Sequence, residues 1–477
     1  MISVSNHSKT KTLVLDSLIF ALGSLGSKFI LFILLPLYTN YLTAAEYGVA
    51  DLVFTCSQLV EPFLSVVIFD AVIRFGLKRG EKPEEVLRCA VLVLVAGGVC
   101  LAALTPFLDF YDRLAPWKWH LCLYAILHCF YLTEMNYLKI RDKMKAYALI
   151  SIGNTAAMAL INLVTLTWLH MGIQGYLLAN ILSVGGACAA ALCCGNMVPD
   201  LRRARLNRRL LKEMLLFSAP LILNNVSTAV IHSTDKIMLE VMLGATALGL
   251  YTVASKLPAL INVMNSIFTQ AWGLSAVREM ESDNDKRFYR DVFRVYTCGI
   301  SLWCMVLVAF IKPFMSVYVG AEYVQAWRYI PLLLAGAAFA AYGSFFGRML
   351  SAMSKTVISM SATLAGAALN VALNLVGIHF LGIWGAVLAT VACYVLMYLI
   401  KMRSVCRALE LRLDGTGFVP SSLLLFIQAG AVSAGFYPGI ISFVTLALFV
   451  VVNRRSLAGL CRQALGLGRS MLKKLKH

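Results

Sequence analysis

Lys28, Glu61, Asp70, Arg74, His232, Asp235, Lys236 and Lys256 are ionisable residues set within, or at the ends of, long apolar stretches of the chain. At the centre of a membrane helix a charge of this kind costs about 2.5–3.5 kcal/mol on insertion scales, so it demands a partner or a hydrated path. Lys28, Lys236 and Lys256, turned toward one cavity, would make a cationic site for a phosphate-bearing ligand, with Arg74 at its mouth. Glu61, Asp70, Asp235 and the imidazole of His232 are groups that a transported proton or coupling ion would use. The plainer reading of Glu61 and Asp235 is that they neutralise nearby lysines.

Spacing gives these groups a direction. Ser17, Ala21, Ser24 and Lys28 follow i, i+4, i+7, i+11, as do Asn225, Ala229, His232 and Lys236, and that spacing draws one stripe along a helix. Small residues alone also suit close helix contacts, but a lysine does not suit a dry one. Gln58 and Ser65 neighbour Glu61, and Pro62 follows it. Asp70 and Arg74, four residues apart, have the spacing of a helical ion pair, which would either anchor the helix end or belong to the site.

The elements that must position these side chains are membrane helices. The 477 residues are 60% hydrophobic and 14% charged, with a mean hydropathy of +0.78, far more apolar than a soluble globular chain. A hydrocarbon core of ~30 Å needs about 20 helical residues, and on that measure about 14 spans are expected. They begin at 13–37 and 48–72, run through 215–239 and 247–274 in the middle, and end with two short ones at 419–436 and 438–452. The first is longer than a signal-peptide core and lacks a small-residue cleavage site, so it reads as a span. The fold class is therefore an all-α polytopic membrane protein.

Gly172-Ile173-Gln174-Gly175 and Gly382-Ile383-Trp384-Gly385 repeat about 210 positions apart, each followed by matching Leu and Ala, and an internal repeat of this kind marks a duplicated bundle. An even number of spans separates the copies, so two six-helix lobes should face the same way. The expected organisation is a lobe over 1–197, a basic linker over 198–213, a second lobe over 214–406, and a terminal helix pair with a basic tail over 407–477. Most of the 42 lysines and arginines fall in alternate loops, whereas the opposite loops hold Arg113, Lys118, Lys312 and Arg328. That asymmetry places both termini in the cytoplasm. The linker has the spacing of an interfacial helix, though ordinary positive-inside charge explains it without a lipid role.

Several functions are disfavoured. The net charge of +18 is spread over loops rather than gathered on one module, so no nucleic-acid partner is expected. The thirteen cysteines lie mostly in apolar runs without metal-ligand spacing, so neither a metal site nor a disulfide framework is expected. No catalytic residues are assigned: a membrane glycosyltransferase or polymerase should present acidic catalytic groups or a sizeable outer segment, and the connections near Asp109–Lys118 and Lys312–Arg328 are short. A drug exporter for organic cations should prefer an acidic cavity, against which the three lysines speak.

The run Gly23-Ser24-Leu25-Gly26-Ser27-Lys28, the run Leu35-Pro36-Leu37-Tyr38-Thr39-Asn40-Tyr41-Leu42, and Glu46-Tyr47-Gly48 with Arg74-Phe75 resemble the Wzx-type polysaccharide flippases of the multidrug/oligosaccharidyl-lipid/polysaccharide exporter superfamily. Asp235-Lys236, Gly249-Leu250-Tyr251, Ala254-Ser255-Lys256-Leu257-Pro258 and Phe268-Thr269-Gln270-Ala271-Trp272 extend the likeness through the second half. The resemblance implies a V-shaped transporter in the bacterial cytoplasmic membrane. Its cationic cavity would bind the pyrophosphate of an undecaprenyl-linked oligosaccharide, with Lys28, Lys236, Lys256 and Arg74 as candidates. It also implies alternating access with no cofactor beyond a proton or sodium gradient. The implied partners are the lipid-linked oligosaccharide, membrane lipids, a polysaccharide polymerase and glycosyltransferases.

Overall fold

The computed structural model describes residues 30–454 and Leu457, apart from Leu31, Arg79, Val263, Ile267, 270–271, 273–275, 277–285, Ser354 and 412–414. Lys28, most of the first expected span and the basic tail lie outside the described residues. Within them, all regular structure is helical. After a helical stretch over 32–41 come α1 (Ala44–Ser65), α2 (Ile68–Gly76), α3 (Pro83–Leu104), α4 (Lys118–Ile140), α5 (Met144–Leu163), α6 (Gly172–Gly195), α7 (Met197–Arg203) and α8 (Arg208–Leu243). There follow α9 (Ala245–Lys256), α10 (Lys286–Tyr318), α11 (Ile330–Ala352), α12 (Thr356–Leu381), α13 (Ile383–Leu409), α14 (Gly415–Ala434) and α15 (Pro438–Arg454).

Among the described residues, every expected span from the second onward falls on one of these helices or on a broken pair, the span at 247–274 only over the part that is described. Nine helical segments among the described residues are long and apolar enough to cross a membrane, and α1 with α2, bent by 51°, makes a tenth. Helices α4 and α8 do not pass that test, and they carry Glu134 and Lys139, and Asp235, Lys236 and Glu240 respectively. A helix can afford such groups only where protein or water faces them.

The described residues form two compact units divided between Gly249 and Leu250. In the first, α4 packs on α1, α2 and α6, while α8 lies against α1, α2 and α3. Its core gathers Ile68, Val72, Leu87, Leu94, Ala125, Tyr137, Leu138 and Met214. In the second, α11 is the central helix: 78% of its apolar window is buried, against 22% for α12, so α12 turns its apolar surface to lipid. Rings of Trp272, Phe293, Tyr296, Phe345, Tyr398 and Phe418 fill the space around α11, and the Trp272 indole donates to the Phe345 carbonyl at 3.2 Å.

Both copies of the Gly-Ile-x-Gly repeat do the same structural work. Gly172 (φ +54°) and Gly382 (φ 59°) supply positive φ where a helix must begin straight after a tight turn, which a side chain would resist. Gly175 and Gly385 then sit hard against the preceding element, Thr165 and Gly377 respectively. A second glycine pair makes a close helix crossing in the first unit. A Cβ on Gly48 would strike the carbonyl of Ala245, and one on Gly249 would strike the carbonyl of Ala44, so two Ala-x-x-x-Gly segments interlock reciprocally, as small residues allow.

The break between α1 and α2 has a local cause. Pro62 has no N–H to give to the helix, and Val66 and Val67 stand in the left-handed region at φ 50° and 54°, costly for β-branched residues. Ser65 compensates: its hydroxyl donates to the Glu61 carbonyl at 2.7 Å and accepts from the Val67 amide at 3.1 Å. From α8, the Ser218 hydroxyl donates to the Val67 carbonyl at 3.4 Å.

The reciprocal crossing predicts that Gly48→Val will lower the thermal stability of the detergent-purified protein by about 1–3 kcal/mol or more, as overpacking does. Gly153→Ala, whose Cβ meets nothing within 4 Å, should be neutral or slightly stabilising by helix propensity. Equal melting temperatures for both variants would refute the crossing.

Candidate functional site

Helix α1 places Asp51, Phe54, Gln58 and Glu61 at i, i+3, i+7 and i+10, one face of the helix. Helix α4 answers with Tyr124, His128 and Tyr131 at i, i+4 and i+7. Thr43 starts α1 with a capping box, its hydroxyl accepting from the Glu46 amide while the Glu46 carboxylate accepts from the Thr43 amide at 2.9 Å, which fixes where the stripe begins.

Two charged pairs stand on this framework. Lys236 Nζ of α8 lies 2.8 Å from Asp51 Oδ2, and Glu61 Oε1 lies 2.7 Å from His128 Nδ1. Asp51 and Glu61 are both largely buried, where a carboxylate needs a partner. At 2.7 Å one proton must sit between Glu61 and His128. A row of rings leads to the second pair. Centroids run from Tyr38 to Tyr176 at 4.8 Å, Tyr176 to Phe54 at 5.8 Å, Phe54 to Tyr124 at 4.7 Å, and Tyr124 to His128 at 5.5 Å with planes 9° apart. Tyr131 continues the row beyond His128 at 6.2 Å.

The other expected site residues are placed as follows. Arg74 does not pair with Asp70 within 4.0 Å; its guanidinium lies over the Phe217 ring of α8, 4.3 Å from the centroid, a cation–π contact that holds α2 on α8. Asp70 is half-buried in the first turn of α2. Asp235 is buried on α8, and the backbone of His232 lies in the same helix. Lys256 is exposed at the end of α9. Lys236 belongs to the first unit and Lys256 to the second. Glu61, read from the sequence either as a coupling group or as a counterion to a lysine, has His128 as its partner.

Sequence reasoning passes over Asp51, His128, Glu134 and Glu240. Each is an ionisable residue inside or at the end of an expected span, the signal that singles out Glu61. Glu134 is buried with Oε2 lacking a hydrogen-bond partner, and Arg113 Nε approaches Glu240 Oε1 at 3.8 Å. Among the described residues no cluster of His, Cys, Asp or Glu has metal-binding geometry.

Residues 13–273 match the family model described as "Polysaccharide biosynthesis protein". No curated protein matches the chain in sequence. Among solved structures, the fold is similar to the lipid II flippase MurJ in an inward closed conformation. The TM-score is 0.67 at 13% identity, over 93% of this chain and 100% of that one. It is similar to an inward-facing multidrug resistance MATE family transporter of the MOP superfamily, with a TM-score of 0.58 at 15% identity over 80% and 99% of the two chains. A MOP superfamily transporter from Pyrococcus furiosus matches with a TM-score of 0.52 at 16% identity over 83% and 94%.

The Asp51–Lys236 pair predicts a coupled double-mutant cycle. Asp51→Asn and Lys236→Gln should each destabilise the purified protein, and the double variant should lose less than the sum by about 0.5–3 kcal/mol, the range for residues in contact. Strict additivity in chemical or thermal melts would sink the pairing.

Proposed function

Since the chain belongs to the polysaccharide biosynthesis protein family, we propose that it is a flippase carrying undecaprenyl-pyrophosphate-linked oligosaccharide units from the inner to the outer leaflet of the bacterial cytoplasmic membrane. Its fold and family are those of transporters, not enzymes, and it is a multi-pass membrane protein of the MOP superfamily fold. The observation that carries the proposal is the polar face of α1 in the first unit: Asp51 paired with Lys236 and Glu61 paired with His128, with a row of aromatic rings that reaches His128. Charged and hydroxylated headgroups need such a path, because an unpartnered polar group in hydrocarbon costs several kcal/mol. The lipid tail needs none and stays in the bilayer.

In this reading Lys28, Lys236 and Lys256 hold the pyrophosphate, with Arg74 assisting, and the lysines act as point charges rather than as rigid forks. Lobes 1–197 and 214–406, joined by the linker 198–213 and followed by the pair in 407–477, rock between inward-open and outward-open states with both termini cytoplasmic. Glu61 with His128 carries the coupling proton, and Asp235, His232 and Asp70 are the further candidates for it. The polymerase and the glycosyltransferases of the same assembly line are proposed partners.

Deleting the gene should make a lipid-linked glycan accumulate on the inner leaflet, and complementation with Lys28→Ala should fail to restore surface polymer although the protein is inserted. Normal surface polymer in that variant removes Lys28 from the site, and purified protein that synthesises or cleaves a lipid-linked sugar overturns the transporter reading. For coupling, Glu61→Gln should blunt the dependence of flipping on the ion gradient in proteoliposomes. An unchanged dependence assigns coupling elsewhere.

A further inference from the structure

Glu134 of α4 is 4% exposed, and its Oε2 makes no hydrogen bond. Among the described residues no lysine, arginine or histidine forms an ion pair with it. Helix α6 packs against α4 and offers Ala187, Cys188 and Ala191, all buried, small side chains that let two membrane helices approach closely. The Cys188 thiol stands beside the Glu134 carboxyl, but it donates to the Leu127 carbonyl at 3.5 Å.

The charged groups on the other helices around α4 are engaged elsewhere. On α1, Glu61 is held by His128. On α2, Arg74 lies over the Phe217 ring and Asp70 faces Lys139. On α3, Glu84 pairs with Arg141, while Arg88 donates to the carbonyls of Leu201 and Ala204. On α5, Lys145 is exposed and Tyr147 lies under the Lys139 ammonium. No cation therefore offsets the burial of Glu134. A carboxylate in low dielectric without one costs several kcal/mol, and a bound proton removes that cost.

We propose that Glu134 is a proton-binding site, a neutral acid in this conformation and an ionised one when water enters between α4 and α6. On ionisation the carboxyl O–H bond breaks, its electron pair stays on the carboxylate oxygen, and the proton passes to that water. Tyr131, the ring beyond His128 in the aromatic row, lies three residues before Glu134 on α4, on the same side of the helix. The site thus continues the row toward the end of α4 at Ile140, about 9 Å farther along the axis. In the flippase reading, on which this role rests, Glu134 releases its proton in one state and regains it in the other. It is a second coupling group beside the proton shared by Glu61 and His128, and its different proton affinity in the two states ties the change of state to the gradient.

The test uses the full-length protein in detergent, read by infrared spectroscopy at neutral pH. The wild type should show the C=O stretch of a protonated carboxylic acid, and Glu134→Gln should remove that component. Glu134→Asp, which keeps an acid at the position, should shift the band rather than abolish it, and keeps the test decisive if Glu134→Gln fails to fold. A wild-type spectrum without a protonated carboxyl overturns the proposal, and so does a band that neither variant changes. In proteoliposomes, Glu134→Gln should lose the acceleration of flipping by a proton gradient. Unchanged acceleration overturns the coupling role. Wild-type protein that moves no lipid-linked glycan fails the flippase reading, whereas the infrared band, which needs no cargo, still decides the proton site.

Discussion

The interlocking of Ala44 and Gly48 with Ala245 and Gly249 sets the spacing on which the first unit depends. With no water to drive helices together inside a bilayer, close backbone packing must supply the association, and it does so only where side chains are absent. This crossing brings the start of α1 to the end of α8. Asp51 lies one turn beyond Gly48 on α1, and Lys236 of α8 meets it in the short lysine–aspartate contact at 2.8 Å. Push the helices apart by one methyl group and both charges are left in low dielectric, where an unpaired ion costs several kcal/mol. Packing and electrostatics are therefore a single constraint here.

The same constraint explains why the polar groups form a row rather than a scatter. The stripe from Asp51 to Glu61 shares one face of α1, and α4 offers rings and His128 at the matching spacing. The helix must then end, because Pro62 interrupts its hydrogen bonding and two valines take left-handed angles. Ser65 and Ser218 satisfy the freed backbone groups. The break is thus tolerated in protein surroundings, as irregular backbone at membrane depth requires.

The helical class and almost every span are legible because hydropathy over about 20 residues is a strong signal, and the two Gly-Ile-x-Gly turns are legible because a repeat needs no tertiary information. The partners are not. Glu61 is recognisable as costly, yet its counterpart on α4 lies 67 residues away, and nothing in local spacing points to it. Arg74 matches Asp70 by their separation of four residues, but an aromatic ring from α8 competes for the guanidinium. Asp51 escapes notice although it begins the same stripe as Gln58 and Glu61, on the helical face that also holds Phe54.

A lysine already bonded to an aspartate is a better carrier site than a lysine kept bare. A bare cation would hold a pyrophosphate in every state, and a ligand that binds two states equally shifts neither. Lys236 has a resident anion to return to. An incoming anion must compete with Asp51 for the ammonium, so what Lys236 holds is decided by the difference between the two bonds. That exchange also limits the cost of moving: at no point need the ammonium be without an anion inside the membrane.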